Sequence, residues 1–339
     1  MFTDSLKKIV AGVDLADDES YAVMDEIMSG QCTDAQIGAY MAALATKGET
    51  FAELAGAARA MRRKATRIQV TSGTVVDTCG TGGDGASTFN ISTTAAFVVA
   101  GCGVTVAKHG NRSVSSKCGS ADVLEALGVR LDVESEVVEE AVNGIGIGFL
   151  FAPRFHGAMR HAMKARKEVG IRSIFNMLGP LTNPAGANCQ VLGVFAPQLT
   201  EMFGEALRLL GSRHSFVVHG VEGLDEISVC ANTRVSELVD GMVRTYEFSP
   251  ETLVGRRYDS AELAGGGPEE NADITRKVLS GETGARGDVV AVNAAAALVA
   301  AGQAKDMAQG IALAREAVTS GAALEKLEKL AAFTRANAG

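Results

Sequence analysis

The chain has no tryptophan, and aromatic residues make up only 5% of it. A protein that reads nucleic acid by stacking bases on aromatic side chains is therefore not expected. Its six cysteines, at 32, 79, 102, 118, 189 and 230, contain no CxxC pair and no zinc-ligand spacing. They read as reduced thiols of a cytoplasmic protein rather than as a disulfide framework or a metal knuckle. Cys79, beside a glycine-rich run, reads as a small buried hydrophobe because no base accompanies it in sequence. No apolar run is long enough to span a bilayer; the most apolar, Ala95 to Ala107, is short and interrupted by glycine. Met1 to Lys8 lacks the apolar core of a secretory signal, so none is expected. Cations are in deficit, with a net charge of −8, and the basic residues sit in short segments. Global attraction to nucleic acid is excluded, and any anion binding must be local.

At 339 residues and 47% hydrophobic content, the chain can bury a large core and divides by length into two domains. Residues 4–66 read as helices. Tyr21 to Met28 carries apolar residues at helical spacing, Gly30 stops it, and Thr33-Asp-Ala-Gln36 opens the next helix as a capping box. From residue 74 the pattern changes to short β-branched runs alternating with helices, with strands expected at 74–78, 103–107, 191–195, 215–219 and 226–230. The expected fold is a small all-α domain over residues 1–70, joined by a hinge to a large α/β domain over 74–167 and 187–339 whose mixed central sheet is flanked by helices. Prolines at 153, 180 and 184, with Gly170 and Gly179, mark a segment from about 168 to 186 that returns through the helical domain. The last third, including Val289 to Leu298, reads as helical packing with little chemistry.

The chemistry is concentrated in loops. Asp77-Thr-Cys-Gly-Thr-Gly-Gly-Asp-Gly-Ala-Ser-Thr-Phe-Asn-Ile-Ser92 runs from a strand to an apolar helix. Glycines at 80, 82, 83 and 85 bare backbone N–H groups to an anion, and Ser92 and Thr93 lie where a helix N-terminus adds donors. Gly80-x-Gly82-x-x-Gly85 also fits the dinucleotide fingerprint, but the next strand ends in Lys108-His109 instead of the acidic residue that holds a ribose. No Gly-Lys-Ser/Thr closes the run as a Walker loop requires. A turn used only for packing does not account for Asp84, because a carboxylate beside bound phosphate needs a metal or a sugar hydroxyl as partner. A second, basic loop, Lys108-His-Gly-Asn-Arg-Ser-Val-Ser-Ser116, follows one helix later, and the two together point to a phosphate-rich substrate.

Asp225 and Glu226, on a glycine-flanked loop after the 215–219 strand, read either as hard oxygen ligands for Mg²⁺ bridging substrate phosphates or as solvated surface. On an expected helix over 155–168, Phe155, Met159, Ala162 and Met163 form one stripe with Arg166 in its middle, while Arg160, Lys164 and Lys167 share a solvated face. Arg166 therefore either snorkels out at the helix end or offers its planar fork to a carboxylate in a cleft.

Together these residues resemble the anthranilate phosphoribosyltransferase family of tryptophan biosynthesis over roughly residues 7–330. The resemblance rests on Gly12-Val-Asp-Leu15, Thr33-Asp-Ala-Gln-Ile-Gly38, Lys47-Gly-Glu-Thr50, Gly80-Thr-Gly-Gly-Asp84, Asn90-Ile-Ser-Thr93 and Lys108-His-Gly-Asn111. Gly119-Ser-Ala-Asp122, Phe175-Asn-Met-Leu-Gly-Pro-Leu-Thr-Asn-Pro184 and Leu224-Asp-Glu226 complete it. The glycine loop and the Lys-His-Gly-Asn loop are highly specific jointly, although each is weak alone. The resemblance implies a helical domain hinged to an α/β domain, a homodimer associating through the helical domain, Mg²⁺ as cofactor, and no nucleic-acid or membrane partner. For phosphoribosyl pyrophosphate it implies Gly80, Gly83, Asp84, Thr88, Asn90, Ile91, Ser92, Thr93, Lys108, His109, Gly110, Asn111, Arg112, Ser113, Val114, Ser115, Ser116 and Ser120. For anthranilate it implies Gly80, Asn111 and Arg166, and for magnesium Ser92, Asp225 and Glu226. Two departures, Gly30-Gln31 for the commoner Gly-Glu and Thr94 for alanine, touch none of these.

The reaction so implied displaces pyrophosphate from C1 of the ribose by the amine of anthranilate. That amine is uncharged at neutral pH, so no side chain is expected as an obligatory acid or base, and His109 reads as a wall or hydrogen-bond donor of the site. Two other readings stay open. One is a pyrimidine nucleoside phosphorylase, a related fold that reads Lys-His-Ser-Thr-Gly-Gly where this chain has Lys108-His-Gly-Asn-Arg-Ser113. The other is a non-catalytic paralogue that binds nucleic acid.

Overall fold

A computed structural model describes residues 1–113 and 117–338. Four helices come first: α1 (Phe2–Val10), α2 (Asp17–Met28), α3 (Asp34–Lys47) and α4 (Phe51–Lys64). Capping boxes open the last two, with Thr33 and Gln36 exchanging side-chain to backbone bonds, and Thr50 and Glu53 repeating the arrangement. The chain then alternates through β1 (Val75–Gly80), α5 (Ile91–Gly101), β2 (Thr105–Gly110), α6 (Ser120–Ala126), α7 (Ser135–Ile145) and β3 (Ile147–Phe151). Helices α8 (Ala152–Phe155), α9 (Arg160–Val169) and α10 (Ile174–Leu178) lead to β4 (Cys189–Gly193), α11 (Leu199–Leu209) and β5 (His214–Gly220). A hairpin, β6 (Thr233–Val239) and β7 (Met242–Phe248), is followed by α12 (Pro250–Val254), α13 (Pro268–Leu279), α14 (Ala285–Ala300), α15 (Met307–Thr319) and α16 (Ala322–Ala336).

The seven strands form one mixed sheet in the order β3-β2-β1-β4-β5-β6-β7, parallel from β3 to β5 and antiparallel thereafter. Parallel strands are covered on both faces, which is why β1 and β4 read as continuous buried runs. One face is covered by α5, apolar all round, with α14 and α16 against it. Thr94 within α5 is fully buried, but its hydroxyl bonds the Asn90 carbonyl at 2.9 Å and Thr275 Oγ1 at 3.0 Å, so the departure from alanine leaves no polar group unpaired. On the other face α11 packs between the sheet and α4, and the apolar core there is continuous with that of the four-helix bundle. Helix α9 lies against α2 and α3, ahead of residue 168 where the returning segment was expected to begin, and α10 lies against α3 and α4. Among the described residues no helix is long and apolar enough to cross a membrane.

Two sequence expectations are corrected. Residues 226–230 are not a strand: the Ile227 N–H and carbonyl both bond the Asn293 side chain, at 2.9 Å each, and the Ser228 N–H bonds Thr233 Oγ1 at 2.9 Å. Side chains, not a ladder, satisfy this buried backbone, so Ile227 and Val229 are buried without pairing. The helix expected over 155–168 is broken at His156-Gly157, which resets its phase. Ala162 and Ala165 face the core and Met163 is 52% exposed, so Met163 leaves the expected stripe.

Candidate active site

The sequence-predicted loops converge beyond the carboxyl ends of β1, β4 and β5, where the strand order reverses and open α/β sheets leave a crevice. Two glycines let the acidic loop lie on the strand ends. A Cβ on Gly193 would stand 1.5 Å from the Asp225 carbonyl oxygen, and one on Gly80 would stand 2.7 Å from Asp225 Oδ2. Asp225 Oδ2 accepts the Gly82 N–H at 3.1 Å, and Glu226 Oε1 accepts the Ser92 N–H at 3.0 Å. The acidic pair thus holds the phosphate-type loop at both ends, once at its glycines and once in the first turn of α5.

Enclosure makes these carboxylates unusual. Burial first, then the like charge of Asp84, pushes Asp225 up to about 7; burial, then Asp225 itself, pushes Glu226 up to about 8. Lys108 enters from beneath, donating to the Thr78 carbonyl and reaching Ser92 Oγ at 3.4 Å. Burial pulls the lysine below its ordinary value while Asp77, Glu226 and Asp225 oppose that shift. Two crowded carboxylates beside the Ser92 hydroxyl suit a hard divalent cation, which would relieve their repulsion. Among the described residues no three His, Cys, Asp or Glu side chains converge as a self-sufficient cage. An ion here would complete its shell from water and substrate oxygens, as Mg²⁺ does.

The loop between β1 and α5 turns through positive φ at Gly82, Gly83, Gly85 and Ser87. Among the described residues the N–H groups of Gly83, Asp84 and Gly85 have no protein acceptor, so they remain open to an anion. Its far end is anchored by a bridge from Thr88 to Ala264 and by Asn90, which bonds Cys118 and Asn271. Ile91 and Thr93 are buried in the core, leaving mainly their backbone for any ligand.

Strand alternation sends His109 to the opposite face from Lys108. Its Nδ1 bonds the Gly179 carbonyl at 3.1 Å, and its ring lies 5.0 Å from that of His156. Burial, then His156, pushes His109 down to about 3, and burial pushes His156 down to about 4, so both rings are neutral. Neither Nε2 has a hydrogen-bond partner among the described residues. Asp77 fixes this strand end, accepting the His109 N–H at 3.1 Å and the Asn183 amide at 2.8 Å. Beside His156 a small cleft is lined by Met28, Met61, Lys64, Ala158 and Met159. On α9, the Arg166 guanidinium lies 5.3 Å from the Phe175 ring, and burial alone lowers its pKa.

Not every expected residue joins this cluster. Ser120 Oγ donates to the Asn111 carbonyl at 3.2 Å beside Gly110, but the Asn111 side chain is exposed and caps the Arg112 N–H. Arg112 is engaged by Asp122 and by both oxygens of Glu125, and the Ser113 N–H bonds Asp122. Val114, Ser115 and Ser116 lie outside the described residues. Asp77, His156 and Asn183 were not singled out in the sequence, because what marks them is contact between residues distant along the chain. In sequence the 168–186 segment reads as a return through the helical domain, not as a part of this place.

The chain matches the glycosyl transferase family, helical bundle domain, over residues 3–65 and the glycosyl transferase family, a/b domain, over residues 72–324. It is 71% identical over 337 residues to an anthranilate phosphoribosyltransferase of Syntrophobacter fumaroxidans, covering 99% of this chain and 100% of that protein. The crystal structure of the Thermus thermophilus anthranilate phosphoribosyltransferase is similar at 46% identity and TM-score 0.92, covering 98% of this chain and 99% of that one. The Saccharomyces cerevisiae enzyme in complex with PRPP and Mg is similar at 29% identity and TM-score 0.90, covering 99% and 98%.

Proposed function

The chain belongs to the anthranilate phosphoribosyltransferase family, and from that premise we propose which of its side chains carry each part of the reaction. The reaction transfers the phosphoribosyl group of phosphoribosyl pyrophosphate to the amine of anthranilate, giving N-(5-phosphoribosyl)anthranilate and pyrophosphate. The relatives do not favour the nucleoside phosphorylase or nucleic-acid readings. The observation that carries the assignment is the end of β2. There Lys108 turns to Ser92 and the acidic loop, and His109 turns to Gly179 and His156, so a donor half and an acceptor half meet at one strand end.

In the donor half, the bared amides of Gly83 to Gly85, with Gly80, Thr88, the Asn90 to Thr93 turn, Lys108 and Ser120, hold the phosphates and ribose. Ser92, Asp225 and Glu226 would hold Mg²⁺, in line with the yeast relative in complex with PRPP and Mg. Bound there, the ion would supply positive charge to the leaving pyrophosphate. As the C1–O bond breaks, the electron pair leaves with pyrophosphate, and Lys108 and the loop amides stabilise the charge that develops. The amine lone pair forms the C1–N bond at a cation-like carbon.

In the acceptor half, Arg166 holds the anthranilate carboxylate with its planar fork. His109 keeps its proton on Nδ1, because the Gly179 carbonyl can only accept, and its enclosed ring forms a wall of the acceptor half. A ring with a pKa near 3 does not keep a second proton at neutral pH, so it is not the base of the reaction, and the proton released after bond formation passes to solvent. A homodimer joined through the helical half, working in the cytoplasm, completes the proposal. Val10, Val13 and Phe51 are exposed apolar side chains on that half, and light scattering should give twice the chain mass.

Lys108→Ala should weaken donor binding by about 1.5–3 kcal/mol, because a buried charge-assisted contact is lost. Calorimetry of phosphoribosyl pyrophosphate binding reads this directly, and an unchanged affinity would move the donor away from β2. The activity itself is tested by the fluorescence of anthranilate. It should fall on mixing with the protein, phosphoribosyl pyrophosphate and Mg²⁺, and persist when any one is left out; persistence in the full mixture would refute the assignment.

A further inference from the structure

Arg172 has no part in the reaction so far. It lies in the turn between α9 and α10, in the segment packed on the N-terminal bundle, yet its side chain reaches the α/β half. The guanidinium carbon stands 3.8 Å from the centroid of the Phe195 ring, just past β4, and Nη2 donates to the Gly83 carbonyl at 3.1 Å. Among the described residues Arg172 makes no ion pair. A planar cation over an aromatic face is held in orientation by that face, which aims its N–H edge. Phe195 is itself fixed, since its N–H donates to Thr81 Oγ1 at 3.2 Å and the Thr81 N–H donates to the Gly193 carbonyl at 2.9 Å.

Gly83 is shaped for this contact. It has φ +75°, a left-handed backbone that favours glycine, and a Cβ there would stand 2.4 Å from Arg172 Nη2, so a side chain at this position would push the guanidinium off the carbonyl. Among the described residues the loop tip is otherwise held by the Gly82 N–H to Asp225, Thr81 Oγ1 to the Gly82 carbonyl at 3.4 Å, the local turn from the Ala86 N–H to Asp84, and the Asp84 carboxyl against that of Asp225. Because a trans peptide is planar, its carbonyl and the following N–H point in opposite directions. Holding the Gly83 carbonyl therefore turns the Asp84 N–H, which has no protein acceptor among the described residues, to the other side.

We propose that Arg172 is a positioning residue for the phosphate loop: it fixes the Gly83-Asp84 peptide so that the Asp84 N–H faces the donor, and it ties that loop to the segment carried by the helical half. The inference rests on the donor site described under the proposed function. It also couples donor binding to the relative position of the two halves, because one side chain from the return segment touches two loops of the sheet.

The test is calorimetric titration of phosphoribosyl pyrophosphate with Mg²⁺ into wild type, Arg172→Ala, Arg172→Gln, Arg172→Lys and Phe195→Leu, with amide exchange of residues 82–86 measured in the free proteins. Arg172→Ala should weaken donor binding roughly tenfold and speed exchange in the loop, while the KM for anthranilate shifts less than about twofold. Arg172→Gln, which can still donate to the carbonyl without carrying charge, should recover part of the loss, and Phe195→Leu should show a smaller loss of the same kind. Donor affinity within about twofold of wild type in Arg172→Ala, or unchanged exchange in the loop, would overturn the proposal. So would a Gln variant as weak as Ala beside a restored Lys variant, since that pattern marks a direct phosphate ligand. A wild-type protein that does not bind the donor would remove the functional assignment and this inference together.

Discussion

Replacing Asp225 and Glu226 together by Asn and Gln is expected to cut turnover by about 10³-fold, because charge on the leaving pyrophosphate would lose its counter-ion. The isosteric pair keeps the volume of the loop, so the variant should remain folded, and its stability reports on the site independently of activity. In the wild type both carboxyls are raised, Asp225 to about 7 by burial and by Asp84, Glu226 to about 8 by burial and by Asp225. A carboxyl raised by folding contributes stability while it is protonated. That contribution is full below the ordinary carboxylate range near 4 and is lost as pH rises through the raised values. With chelator present, the wild-type unfolding midpoint should therefore fall as pH rises from about 4 to about 8, and the double variant should fall less. Added Mg²⁺ should restore the wild type at the alkaline end and leave the variant unmoved. Full activity of the variant in low magnesium, or a magnesium shift equal in both proteins, would take the metal away from this loop.

Arg166→Ala is expected to raise the KM for anthranilate roughly 10- to 150-fold, the equivalent of about 1.5–3 kcal/mol for a charged hydrogen-bonded contact, with donor affinity nearly unchanged. The half-buried guanidinium stacks on Phe175, and burial is the one cause that lowers its pKa, with no protein carboxylate contributing. A cation taken from water without an anion to meet it suits a ligand that brings one. Arg166→Lys should recover only part of the loss, since a point charge cannot reproduce the planar fork. Aniline, which lacks the carboxylate, should scarcely distinguish wild type from variant. A wild-type KM in Arg166→Ala would make the residue a packing partner of Phe175 and nothing more.

What the sequence disclosed depended on how local each signal was. The N-terminal helices were legible because their caps, Thr33 with Gln36 among them, act within four residues. The parallel strands β1 and β4 followed from apolar runs that a covered parallel strand requires. The error at 226–230 came from Ile227 and Val229 alternating with polar neighbours, a strand pattern whose backbone is instead satisfied by Asn293, far along the chain. The β6–β7 hairpin went unread although Asp240-Gly241, both at positive φ, is the dipeptide that a tight two-residue turn calls for. Met163 was misplaced because periodicity assumes an unbroken helix. In the candidate site, the glycine run and the Lys-His loop stood out as segments. The pairings did not: that Lys108 is buried beneath Ser92, that His109 meets His156, or that Arg112 is bound to Glu125 follows from packing alone.

The central claim is that donor and acceptor meet at one strand end, with pyrophosphate leaving only as the amine arrives. Measuring pyrophosphate released against anthranilate consumed, with and without anthranilate, tests it most directly. The account predicts one pyrophosphate for each anthranilate lost and almost none in its absence. Pyrophosphate released at the same rate without anthranilate would contradict it.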